Sequence, residues 1–254
     1  MSKIKFLLLL SVLATAALFS SCSDDDDKIA EIPGEISGLG NQPGELQGAK
    51  FSLPAGIELD GKITGLWSIT PVGLYDNHPV AVSKNISRSE TTAERIAASD
   101  YDVARGSGRY VIIFIPLKNT TNSNKELVFP ARLIVRALAS KYQNGVLLKE
   151  TKVTIPANKQ YKIALAMYCG NADKSASGTS AEYEWGVISN SPLLKELTDM
   201  LVDKKINIEE FTSANLSTYS SQVSELQSIL WHITDSSYGL SDDDKAYIKA
   251  LPKS

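Results

Sequence analysis

The chain has 254 residues, with 26 Lys and Arg against 29 Asp and Glu, a formal net charge of −3 and two cysteines. That length supports one large or two small domains with a real core. Mild acidity without a basic cluster argues against a nucleic-acid partner, and two histidines far apart, His78 and His232, with no close cysteine pair, argue against a metal site. No P-loop, dinucleotide-binding glycine pattern or nucleophile elbow occurs, so no cofactor is expected.

At the N-terminus, Lys3 and Lys5 precede the run "FLLLLSVLATAALF" from Phe6 to Phe19, the pattern of a signal peptide. The run is 14 residues, short of the roughly 20 that a membrane-spanning helix needs. Ser20 and Ser21 then lead into Cys22, which resembles the lipobox of bacterial lipoproteins, although Phe19 replaces the usual Leu. The resemblance implies a leader over residues 1–21 and acylation of Cys22. Behind it, Ser23, Asp24, Asp25, Asp26 and Asp27 resemble the export signal of Bacteroidetes surface lipoproteins. That implies an outer-membrane location, lipid-anchored and facing the cell exterior. Physically, four adjacent carboxylates make a solvated, self-repelling spacer.

Residues 22–48 are polar and turn-rich, with Pro33, Gly34, Gly38, Gly40, Pro43 and Gly44, and read as a flexible acidic tether. From Ala49 to Gly170 the pattern is that of strands. Ile63, Gly65, Trp67 and Ile69 alternate with polar residues. "YVIIFIPL" over Tyr110 to Leu117 is apolar on both faces and suits a central strand. Leu133, Val135 and Ala137 alternate with Arg132 and Arg136, and Asn144-Gly145 is a hairpin signal before a strand over Val146 to Ile155. Tyr161 to Cys169 forms another strand with its odd positions on one face. The polar stretch 83–108 reads as a loop with a short helix near Ala93–Ala98.

After Gly170 the period changes. Ser191-Pro192 predicts a helix start, followed by a stripe of Leu193, Leu194, Leu197, Met200 and Leu201. Val223, Leu226, Leu230 and Ile233 form a second stripe, and Ser241-Asp242-Asp243-Asp244 resembles a capping box opening a third helix. The expected fold is mainly β with α: an Ig-like antiparallel β-sandwich over 49–170, then a small helical subdomain over 171–254.

Committing Cys22 to lipid leaves Cys169 without a disulfide partner. Tyr168-Cys169 and Leu226-Gln227-Ser228-Ile229-Leu230-Trp231 resemble the two motifs of bacterial surface thioester domains. That resemblance implies an internal thioester between Cys169 and Gln227, shielded by Tyr168, Trp185 and Trp231, that captures an amine on a target surface. Leu226 and Ile229 depart from the family's Thr and Ala. An inert cysteine continuing an apolar stripe is the plainer alternative. A cysteine-dependent enzyme would use Cys169, His232 and an orienting Asp235. The expectation taken forward is a non-catalytic binding or adhesion head, held to the membrane by lipid, with an extracellular protein or glycan as its ligand.

Overall fold

The computed structural model describes residues 31–67, 69 and 101–254. The leader, Cys22, the acidic run and the short helix expected near residue 95 lie outside the described residues. The described part, from Glu31 onward, is one compact unit. Its strands are β1 (Gly48–Lys50), β2 (Ile57–Leu59), β3 (Ile63–Leu66), β4 (Val103–Gly106), β5 (Val111–Asn119), β6 (Lys125–Phe129), β7 (Leu133–Ala137), β8 (Gly145–Val146), β9 (Thr151–Ile155), β10 (Gln160–Cys169) and β11 (Glu182–Ser189). Three helices follow: α1 (Pro192–Leu201), α2 (Leu216–Thr234) and α3 (Asp242–Ala250).

The class is mainly β with helices, as the sequence leads one to expect. Its layering differs from a pair of facing sheets in one respect. Strands β5, β3, β11, β7, β8 and β10 pair in that order, and β10 pairs again with β5, so the sheet closes into a ring. Nearly all pairings are antiparallel; β4 joins β10 in parallel, Val103 opposite Ile163. A two-stranded ribbon of β6 and β9 adds Leu127, Phe129, Val153 and Ile155 to the cluster inside the ring.

Alternation along the strands decides which residues face where. On β5 the odd positions Val111, Ile113, Ile115 and Leu117 belong to the inner cluster, and on β10 so do Ile163, Leu165, Met167 and Cys169. The even positions Ile112, Ala164 and Tyr168 belong to a second cluster shared with all three helices. This is why "YVIIFIPL" is apolar on both faces: one faces the ring interior, and the other meets the helix-bearing cluster at Ile112 and lines a surface groove at Phe114 and Pro116.

The helix signals expected after Gly170 operate. The Ser191 hydroxyl accepts from the Leu194 N–H at 3.1 Å, and Ser241 and Asp244 cap each other through backbone N–H groups at 3.1 and 3.0 Å. Leu194, Leu197 and Leu201 of α1 and Val223, Leu226, Leu230 and Ile233 of α2 are buried against the outer face of the ring.

Several expectations need correction. First, the stretch up to residue 48 is no tether beyond Ala30: Ile36 and Leu39 are buried, and residues 31–47 form a strap. Gly34 N–H donates to Ile233 O at 2.8 Å and Gly40 N–H to Gly170 O at 2.7 Å. The Asn144 and Asn171 side-chain amides donate to Gly38 O and Gly40 O. Gly40, at φ 55°, passes so close to α2 that a Cβ would stand 1.9 Å from Thr234 O. The glycines and prolines shape turns that are paid for by partners far along the chain.

Second, the boundary at residue 170 dissolves, because β11 lies beyond it yet sits between β3 and β7. The helices share their core with the ring and make no separate subdomain. Third, Asn144-Gly145 makes no tight turn. Gly145 lies in β8, where a Cβ would meet Met167 Sδ at 2.8 Å and Val111 Cγ1 at 2.9 Å. Asn144 instead uses its side-chain oxygen to accept from Ala137 N–H at 3.0 Å. The expected strand over residues 146–155 is split into β8 and β9, and part of the expected 83–108 loop is β4.

Candidate functional site: the junction of Cys169 and Gln227

Cys169 is the last residue of β10, wholly buried, and opposite Gly145 of β8. Its neighbour Gly170 donates to Asn144 O at 2.9 Å. Antiparallel ladder groups alternate edges, so the N–H and C=O of Cys169 point the other way, toward the edge shared with β5. But β5 begins at Val111, opposite Met167. Among the described residues that pairing goes no further, so the Cys169 N–H and C=O have no strand partner on this edge.

Gln227 fills that place. It lies in the middle of α2 and is 1 % exposed. Its Oε1 accepts from Cys169 N–H at 2.8 Å, and its Nε2 donates to Cys169 O at 2.9 Å. One side-chain carboxamide thus stands where a strand peptide would, and satisfies two buried backbone groups that would each cost about 1–3 kcal/mol if left unpaired. The two residues singled out for a thioester are in contact, through the backbone of one and the side chain of the other.

The thiol itself faces the ring interior. Burial pushes it up to about 11, against the opposing influence of Asn171 N–H, which donates to Sγ at 3.4 Å, and of the nearby Trp231 indole. Trp231 N–H has no hydrogen bond of ordinary geometry among the described residues, so its influence on the thiol is one of proximity. Its ring stacks on Tyr110 at 5.8 Å. At neutral pH the thiol is protonated, which disfavours it as a ready nucleophile.

The remaining expected residues are placed as follows. Tyr168, adjacent on the strand, points to the opposite face and pairs with Ser107 Oγ at 2.6 Å, so it does not shield the thiol. Trp185 is held by Phe51 and Phe129 at 5.0 and 6.0 Å. His232 Nδ1 lies 3.1 Å from Asp244 Oδ2. Asp235, expected to orient that histidine, instead accepts from Ala172 N–H at 2.8 Å and from the Thr234 hydroxyl at 2.6 Å, and burial raises its pKa. Asn171 escaped the sequence reading; it touches the thiol, Asn144 and the strap, but an Asn after Cys-Gly carries no signal that marks it.

A second feature lies at the other end of the strands. A groove of about 400 Å³ opens on the outer face of β3, β5 and β10, floored by Phe114 and Pro116 and flanked by Asp60, Lys62, Gln160 and Lys162. Gln160 Nε2 donates to Asp60 Oδ2 at 2.6 Å and Lys62 pairs with Glu182 at 2.8 Å. Apolar floor and polar rim together are the makings of a ligand seat. Among the described residues, no cluster of three or more His, Cys, Asp or Glu could hold a metal, and no helix is long and apolar enough to cross a membrane. No protein-family model matches the chain, and neither does any curated protein or solved structure.

Proposed function

We propose that the chain is a surface lipoprotein of the outer membrane, anchored through acylated Cys22, whose head binds or adheres without catalysis to an extracellular protein or glycan. The observation that carries this reading is the passage from a signal-peptide pattern through Ser-Cys22 into four aspartates, with a compact unit beginning at Glu31. Two or more acyl chains give stable anchoring where one is marginal, at roughly 0.8 kcal/mol per buried methylene. The groove over Phe114 and Pro116 supports a binding head by offering it a seat. The test is the mass of the N-terminal peptide from membranes, together with protease accessibility of the head on intact cells. Acylated Cys22 and a head cleaved from outside are expected; an unmodified chain in the soluble fraction would sink the reading. Replacing Asp24 to Asp27 with Ala should keep the lipid and lose surface exposure.

The contact between Gln227 and Cys169 favours one second reading, the covalent adhesin. In it Cys169 Sγ attacks the Gln227 carboxamide carbon, the C–N bond breaks, and ammonia leaves with the thiol proton. A target amine then displaces the sulfur, forming an amide and restoring the thiol. The Cys169 N–H already bonded to Oε1 would polarise that carbonyl. Intact mass of the acid-quenched head should then be one ammonia below the sequence mass and gain a methylamine adduct. A mass equal to the sequence, with a thiol that titrates on unfolding, rejects it.

A further inference from the structure

The strap enters the fold between the start of α1 and the end of α2. Glu31 Oε2 accepts from the Ser191 hydroxyl at 2.5 Å and from Leu193 N–H at 3.3 Å. Pro33 lies against the turn that follows α2: a Cβ on Gly239 would stand 2.9 Å from Pro33 Cγ. That turn holds out Tyr238, 81 % exposed, while Ile32 beside Pro33 is 52 % exposed. Two of the few large exposed apolar side chains among the described residues therefore lie beside the start of the compact unit. The Tyr238 ring is steadied edge-on by His232 at 5.9 Å.

We propose that Ile32, Pro33 and Tyr238 form a seat through which the head rests on a lipid surface; the proposal rests on the reading of Cys22 as lipidated. The occupant is set by the chain outside the described unit. Residues 23–30 alone join Cys22 to Glu31, and even fully extended, at 3.3–3.6 Å each, they reach no more than about 30 Å. An exposed tyrosine at such a site can place its ring at the headgroup level with its hydroxyl in water, as interfacial aromatics do, and Ile32 adds aliphatic surface. The exposed carboxylates of Asp242 and Asp243, with Glu31 at the rim, mean that the seat fits an uncharged, zwitterionic interface and is repelled by an anionic one. With this end down, the strands run away from the lipid, and the groove over Phe114 and Pro116 and the exposed turn at Asn122 face outward.

The test uses the full acylated chain in phosphatidylcholine vesicles carrying a headgroup spin label, with a fluorophore placed by Ser237→Cys or, at the far end, Asn122→Cys. Quenching at 237 should exceed that at 122 several-fold. Ile32→Ser combined with Tyr238→Ser should bring it down toward the value at 122 while the mass of acylated Cys22 is unchanged. Equal quenching at the two positions, or no response to the double variant, with Cys22 acylated, overturns the seat alone. An unmodified Cys22 sinks the anchoring reading and the seat with it.

Discussion

At the level of single residues, Gln227 is explained by what it replaces. It completes the open edge of β10, and Gln227→Leu should therefore destabilise the head by about 2–4 kcal/mol, since two buried backbone groups lose their partners. Gln222, on the same helix and also buried, provides the control: its Oε1 has no hydrogen-bond partner among the described residues. Gln222→Leu should stay within about 1 kcal/mol of the parent in urea denaturation, with an unchanged slope. Cys169 sets a pH dependence. Its folded thiol is pushed up by burial from an ordinary 9.0 to about 11, so its stabilising share is complete below pH 9 and fades as pH rises through 11. The loss is on the order of 2 kcal/mol. Subtracting the unfolding curves of Cys169→Ala from those of the parent across pH 8–11 should isolate that slope against the titrating tyrosines; a flat difference would mean that the thiol is less buried than it stands.

At the level of elements, what the sequence made legible was whatever depends on neighbours. The periods of α1 and α2, the caps at Ser191 and Ser241, and the odd-position stripe of β10 are all local and all present. What it hid depends on distant partners. Ring closure needs β5 to meet β10, the strap needs amides from Asn144 and Asn171, and β11 joins strands that precede it by many residues. A turn-rich stretch reads as a tether because composition cannot reveal that carbonyls more than a hundred positions away will be answered. The candidate site was half legible: the pair Cys169 and Gln227 stood out by residue type, whereas the missing strand that brings them together did not. The strap also caps α1 from outside the helix, and Glu31→Ala should cost about 1 kcal/mol by leaving Leu193 N–H without its carboxylate. Hydrogen exchange at Leu193 should quicken, with α3 unaffected.

For the molecule as a whole, the strap has a consequence for the order in which the chain can fold. Glu31 is bonded to a residue 160 positions later, and Gly34 to Ile233 near the end of α2. The first part of the head to be synthesised is thus the part whose partners arrive last. Contacts of such long range form slowly, because a large loop must close before they return anything. In a nascent chain Ile36 and Leu39 have only the outer face of the ring to lie on, and their cluster is completed when the helices follow. The same bonds that clasp the finished fold keep an incomplete one from closing early, so a chain cut short before α2 should stay unfolded along its strap.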